Sequence, residues 1–400
     1  MKIIFPRVIL GNRGDIASRW ALLGALQRTK NAKINAVFAH TPEDIPNGIM
    51  QKLPYLPFKN IFPSFSGLKS FLKSDLVIWG VGLDFQDDAS LMKLLYLKVQ
   101  FSLYRFLGLR IWCLFQGAGP ILTSPGHKLA HNVLKEVELF IARDPATLEL
   151  LKSINDQPQY ILGHDSIFLP DLEDNANQIS KNDKAWIDKL TKGVQHPIVG
   201  YNIRLWFHFS SSILPFELSK ERYIKRANEK MDKLVQAAVE NIQYLRTAYN
   251  ARILLVSAYQ PATVSWEDDN QWLALIKNHF VDDPEVILVD QYMSMPSYFQ
   301  FMAQLDLSIG MRLHTTLVGL RMGVPSINLS YTLKGEDILK HLGLPDYAAS
   351  LEEFIDSSDI LKPKITSILS NLPRERKYVE EAVQMAIKEN ETILKEIFEK

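Results

Sequence analysis

Residues 306–316, Asp306-Leu307-Ser308-Ile309-Gly310-Met311-Arg312-Leu313-His314-Thr315-Thr316, read as a strand that stops at a glycine and turns straight into a helix. The run 306–309 suits a buried strand, Gly310 supplies the turn, and Thr315 onward has amphipathic helical spacing. Working outward, the same grammar recurs. In the second half, strand candidates at 198–203, 251–257, 286–289, 307–309 and 326–329 are separated by helical stretches at 223–249, 269–279, 294–303 and 315–322. In the first half, strand candidates fall at 2–10, 34–39, 76–79, 111–115, 139–142 and 160–162. Helical patterns at 15–28, 91–107, 128–139 and 145–153 lie between them. Such alternation predicts an α/β fold: two Rossmann-like doubly wound domains, each a mostly parallel sheet covered on both faces, facing a cleft. Residues 170–192 turn polar and irregular, as a connection between domains does. The expected division is therefore 1–172 and 190–375, with a charged C-terminal helix at 376–400.

Lysine plus arginine number 45 and aspartate plus glutamate 45, so no overall field favours nucleic acid. The single cysteine, Cys113, rules out an intrachain disulfide and any cysteine-based zinc cluster. It lies in the apolar run 111–115 and is expected to be a buried, inert thiol. The apolar N-terminus is broken by Pro6 and Arg7 and reads as a first strand rather than a signal peptide. No stretch approaches the roughly 18 uncharged apolar residues of a spanning helix, and a cytoplasmic protein is expected.

In doubly wound domains ligands meet the loops that leave the carboxyl ends of strands. The first such loop is Gly11-Asn12-Arg13-Gly14-Asp15, a tight turn before a helix start but not a dinucleotide fingerprint. Asp15 is either the cap of that helix or a ligand contact. Two more glycine-rich exits are Gly80-Val81-Gly82-Leu83-Asp84 and Gln116-Gly117-Ala118-Gly119-Pro120. Arg143-Asp144 precedes Pro145, which places Asp144 as an N-cap. Arg143 is then either a carboxylate or phosphate clamp or half of a salt bridge. Arg312 and His314 sit near the positive end of a helix dipole, a place suited to an anion. The next exit delivers Ser330, Tyr331 and Lys334 to the same rim. The pairs Asp87-Asp88, Asp268-Asp269 and Asp282-Asp283 read as solvated turns and caps, and no metal site is expected.

From residue 89 to 135 there is no acid, while Lys93, Lys98, Arg105, Arg110, Lys128 and Lys135 are interleaved with Leu94, Leu95, Tyr96, Phe101, Tyr104 and Phe106. This is either a crossover helix whose lysines snorkel over apolar contacts or a membrane-surface patch near a lipid-linked acceptor.

Taken in order, Gly11–Asp15, the 116–120 exit, Arg143-Asp144, Gly310-Met311-Arg312-Leu313-His314, Gly323-Val324-Pro325, Ser330-Tyr331 and Lys334 resemble the polysaccharide pyruvyl transferases, over residues 1 to about 335. The resemblance implies a GT-B-like fold and transfer of the pyruvyl group of phosphoenolpyruvate to a sugar as a ketal. Phosphoenolpyruvate would be co-substrate, with no other cofactor. Arg143, His314 and Lys334 carry over as active-site residues and Arg312 as a ligand contact. The strand exits add Leu313, Asn12, Gly14, Asp15, Gly117 and Arg204 as expected substrate contacts. Gly80-Val81-Gly82 and the Leu333 before Lys334 depart from the commoner pattern and bear on the acceptor. His314 is expected to handle protons and to be charged only when the anionic donor is bound. The alternatives are a GT-B glycosyltransferase using a nucleotide sugar, which would want an acid soon after Gly310 where none comes before Glu336, or a non-catalytic sugar- or anion-binding protein.

Overall fold

The computed structural model describes residues 1–9, 11–39, 45–46, 65–88, 90–170, 179–205, 216–259 and 268–399. A first sheet is built from β1 (Lys2–Phe5), β2 (Lys33–Val37), β3 (Leu76–Gly80), β4 (Leu83–Phe85), β5 (Arg110–Ala118), β6 (Leu139–Ala142) and β7 (Gln159–Leu162). Its order is β2-β1-β3-β5-β6-β7, with β4 beside β5, and every pairing is parallel. Strands β3 and β6 are buried along their whole length, which is why they read as unbroken apolar runs rather than alternating ones. Crossovers are made by α1 (Arg13–Arg28), α2 (Phe65–Leu72), α3 (Leu91–Phe106), α4 (Ser124–Leu134) and α5 (Pro145–Ile154).

After α6 (Lys181–Thr191), a second parallel sheet holds β8 (Ile198–Asn202), β9 (Arg252–Val256), β10 (Val286–Val289), β11 (Leu307–Gly310), β12 (Ser326–Ser330) and β13 (Ala348–Ser350). Its order is β10-β9-β8-β11-β12-β13. The helices here are α7 (Phe216–Tyr249), α8 (Asn270–Asn278), α9 (Met295–Ala303), α10 (Leu313–Arg321) and α11 (Leu333–His341), then α12 (Leu351–Asp356), α13 (Lys362–Ser370) and α14 (Leu372–Glu399). The order reverses between β1 and β3 in one sheet and between β8 and β11 in the other. Those two points open the crevices where ligands of such sheets bind.

Several boundaries differ from the sequence reading. Strand β1 stops at Phe5 because Pro6 has no N–H for the ladder; Leu10 lies outside the described residues, as do 171–178 of the expected connection. Helix α1 begins at Arg13, capped by the Asn12 side chain, which accepts from Gly14 N at 3.2 Å; Asp15 is therefore not the cap. Helix α10 begins at Leu313 rather than Thr315. The charged C-terminal helix expected at 376–400 begins earlier, at Leu372, just after Asn371 parts it from α13. Cys113 is buried as expected, and burial raises its thiol well above the ordinary range.

Helix α1 is buried on nearly all sides because it is wedged between the domains. Its Trp20 meets Phe299 edge-on at 6.4 Å, and Arg13 lies over the rings of Tyr292 and Tyr298 at 5.1 and 5.3 Å. Helix α14 spans both domains in the other direction. Arg376 near its start donates to Leu305 O at 2.7 Å, and Phe398 at its end packs on Trp112 at 5.2 Å. No described helix is long and apolar enough to cross a membrane.

Candidate active site

The N-termini of α1 and α10 meet across the domain boundary. Gly14 permits this: a Cβ there would lie 1.8 Å from the Cβ of His314. The approach sets the His314 ring among three side chains from the first domain. Nδ1 is 3.2 Å from Asp15 Oδ1, while Nε2 is 3.5 Å from Asp165 Oδ2 and 3.2 Å from Arg143 Nη1. Both ring nitrogens thus face a carboxylate oxygen, and the starts of two helices, α1 and α10, converge on one place.

Asp165 is the central buried acid. It accepts from Ser18 Oγ at 2.7 Å, Ile167 N at 3.0 Å and Arg143 Nη1 at 3.0 Å. Burial works against its ionisation, but His314 first, then Arg143 and the Ile167 N–H, outweigh it and hold the carboxyl well below its usual range. Asp165 was not among the expected site residues. The available signal was its place: Gly163-His164-Asp165 leaves β7 much as Gly310 leaves β11.

Arg143 is 3% exposed and forms the expected salt bridge, with Nη1 in the Asp165 pair, while Nε, 3.9 Å from Asp144 Oδ2, has no hydrogen-bond partner among the described residues. Gly117 makes room for it, as a Cβ there would sit 2.8 Å from Nε. Asp144 caps α5 as expected, accepting from Thr147 N at 2.7 Å, and Thr147 Oγ1 in turn accepts from Ala118 N at 3.0 Å. That chain ties the 116–120 exit to the Arg143 exit. Just before it, Phe115 holds a left-handed φ of 52° at an irregular point in the β5–β6 ladder. Strain of about 1 kcal/mol at a non-glycine residue persists where the surroundings demand it. Its neighbour Gln116 is fully buried with neither amide atom hydrogen-bonded among the described residues.

Lys334, in the first turn of α11, has a shielded Nζ that also lacks a hydrogen-bond partner among the described residues. Burial, and after it the charge of Arg143, push its pKa down to about 7, with Asp88 and Asp144 pulling the other way. Arg143, His314 and Lys334, from three different strand exits, are thus brought together.

Other expected contacts are placed differently. Arg312 is the N-cap residue of α10, and its guanidinium is paired with Asp269 through Nε at 2.9 Å and Nη2 at 2.8 Å, beneath the Tyr259 ring at 5.4 Å. Asp269 is 1% exposed and also accepts from Ala258 N, so it is no solvated turn; Ala258 O accepts from Arg13 N at 3.1 Å. The Arg312–Asp269 pair therefore braces the loop that grips the start of α1. Asp87 is likewise buried rather than solvated, accepting from Leu122 N and Thr123 N. Asp283 pairs with Arg246 at 2.7 Å. Asn12 is spent on its cap and on Asp15, at 3.3 Å from Nδ2 to Oδ2. Leu313 opens α10, half-buried beside His314. Arg204 follows β8 at the switch point with Nε on the Leu205 carbonyl at 3.3 Å. A hollow of about 580 Å³ lined by Asn278–Pro284 lies at the wrong end of β10 for a ligand site of this fold.

The profile of the polysaccharide pyruvyl transferase family matches residues 12–332. The amylovoran biosynthesis protein AmsJ of Erwinia amylovora is 26% identical over 122 residues, a stretch covering 30% of this chain and 29% of that protein. Among solved structures, Anabaena HepE in complex with UDP superposes with a TM-score of 0.57 at 13% identity, covering 100% of this chain and 99% of that one. UDP-GlcNAc 2-epimerase from Neisseria meningitidis gives 0.58 at 12% identity, covering 99% of both. A glycosyltransferase from Rickettsia africae gives 0.55 at 12%, covering 99% of this chain and 97% of that one. At such identities the likeness concerns the fold alone, and that fold is the GT-B arrangement of two facing parallel-sheet domains.

Proposed function

Since this chain belongs to the polysaccharide pyruvyl transferase family, we propose that it moves the pyruvyl group of phosphoenolpyruvate onto a sugar as a ketal, releasing phosphate, in the synthesis of a surface or extracellular polysaccharide. One observation carries this reading. Lys334 Nζ and Arg143 Nε are shielded polar atoms without hydrogen-bond partners among the described residues, and Arg143 reaches to 3.2 Å of a histidine at two converging helix starts. Buried polar groups are almost always satisfied, so such a set calls for a polar, anionic ligand. Phosphoenolpyruvate, with a carboxylate and a phosphate carrying roughly three charges, supplies the complement.

Lys334 and Arg143 hold the anion and offset charge on the departing phosphate. A proton is added to the methylene carbon, and a sugar hydroxyl attacks the cationic carbon that results. The carbon–oxygen bond to phosphate breaks, and a second hydroxyl of the sugar closes the ketal. One proton enters at carbon, two leave from the hydroxyls, and the balance of one goes out on phosphate. His314 is the group that moves protons at this carbon–hydroxyl centre. Asp165 and Asp15 are positioning residues that fix its ring from opposite sides. Arg312 acts at one remove, by holding the loop against which α1 is set.

The test is phosphate release from phosphoenolpyruvate across a panel of pyranosides and lipid-linked sugars. Release that depends on acceptor, and collapses in His314→Gln, is expected. Thermal stabilisation by UDP-sugars with none by phosphoenolpyruvate would instead favour a nucleotide-sugar enzyme and sink the proposal.

A further inference from the structure

Helix α3 is apolar on both sides. Leu94, Leu97, Phe101 and Tyr104 face the first sheet and are fully buried. On the opposite arc, spaced by three and four residues, stand Met92, Leu95, Val99 and Phe106, exposed by 40, 41, 49 and 86%. Half-buried Tyr96 and Leu103 fill in the same arc, and no charged side chain interrupts it. The lysines that could have snorkelled over this face point elsewhere. Lys98 is tied to Glu136 at 2.6 Å and to Asn132 O, and Lys93 donates to Leu83 O at 2.7 Å. Helix α2, joined to α3 by the Phe71–Tyr104 stack at 5.1 Å, adds Leu68 and Leu72, exposed by 38 and 64%.

A helix that is apolar all round needs a second apolar partner. Charge decides which. Arg105 on α3, Lys69 on α2, Lys73 just past its end and Lys128 on α4 are exposed, and residues 90–135 contain no acid. Of the acids near these helices, Glu136 is paired with Lys98, Glu138 with Arg110 and Asp84 with Arg7. Asp87 is buried on Leu122 N and Thr123 N, half-buried Asp88 at the approach to α3 acts on Lys93, and exposed Asp75 accepts from Lys2 N. Two copies placed face to face would set these cations against each other. An anionic bilayer would complement them.

We propose that the outer face of α3, with α2 beside it, docks this protein on an anionic membrane surface. The apolar arc enters the headgroup boundary and the basic residues meet lipid phosphates. The cleft is then held next to the bilayer, because Lys93, one residue past Met92, reaches to 3.9 Å of Asp84 in β4, the short strand that follows the exit from β3. This is independent of the reaction assigned above.

The full-length chain is mixed with vesicles of phosphatidylcholine alone or with about a third phosphatidylglycerol, and sedimented. Binding is expected to the anionic vesicles, weakening about fivefold for each of Arg105→Gln and Lys73→Gln and falling with salt. Val99→Asp with Phe106→Asp should abolish it while leaving the melting temperature and phosphate release with a water-soluble acceptor unchanged. Phe106→Trp should show blue-shifted emission on binding and quenching by brominated lipid. No sedimentation at low salt overturns the proposal. So does vesicle binding that survives the double aspartate variant, or a dimer in solution that the same variant dissociates, since a second copy would then be the occupant.

Discussion

Lys334 and Asp165 are opposite solutions to burying a charge. Asp165 has partners and stays ionised, whereas Lys334 has none among the described residues and sits near pKa 7. A trianion would restore the ammonium, so binding takes up a proton above pH 7, where phosphoenolpyruvate is already fully ionised. The sign follows: a cation depressed in the free protein and raised in the complex gives a dissociation constant that climbs about tenfold per pH unit between those two pKa values. Titration calorimetry in buffers of different ionisation heat measures both quantities. Lys334→Arg, with a fixed charge, should flatten the rise, and Lys334→Met should bind weakly at every pH; an unchanged rise in Lys334→Met would remove Lys334 from the donor site. For Asp165→Asn, turnover should fall about 10²–10⁴-fold with a smaller change in KM, because the imidazole loses its anchor more than the ligand loses a contact. A rise in KM matched by an equal fall in kcat/KM, with kcat intact, would point to binding instead. The places of His314, Arg143 and Lys334 after strands were legible in the sequence, and the family resemblance singled them out. Asp165 obeyed the same rule, but none of the motifs quoted from the sequence included it. The commitment of Arg312 was hidden, since its partner Asp269 is 43 residues away along the chain and on another loop.

At the scale of elements, the decisive contact is the meeting of α1 with α10. The alternation of strands and helices announced both helices and both sheets, since hydrophobic periodicity is a local property. It could not announce that α1 lies between the domains, because an almost wholly buried helix has little amphipathic contrast to show. Nor could it show that Gly14 serves a side chain of the other domain rather than a ligand. Gly14→Ala forces the two helix starts apart: a loss of about 1–3 kcal/mol is expected, read by denaturant titration, with His314 displaced and turnover reduced at least 10-fold. Wild-type stability and turnover in Gly14→Ala would mean that the helices do not meet so closely. Gly323→Ala, at a φ of 74° with nothing within 4 Å of the added methyl, is the control for backbone strain without the clash.

For the whole molecule, α14 matters more than its charged sequence suggests. Midway along it, Asn390 is 0% exposed, accepts from His164 N at 2.9 Å, and donates to Asp165 O at 3.0 Å and Phe168 O at 3.2 Å. The carbonyls it holds flank the acid that orients His314. Asn390→Ala should cost about 2–4 kcal/mol and depress turnover as well as melting temperature, whereas Glu391→Ala, on the same helix but away from that loop, should do neither. A charged helical tail packed on one side was legible, since the buried positions 379, 383, 386, 390, 394 and 398 recur every three to four residues, but its bridging role was not, because such a stripe does not say which domains it packs on. This arrangement has a consequence for the order of events at the ribosome. Asp165 emerges 225 residues before the side chain that clasps its backbone, so the first sheet can form early while its catalytic loop stays unfastened. The loop can be clasped only once Asn390 has been made, so a chain stopped before it leaves the backbone of Asp165 unheld.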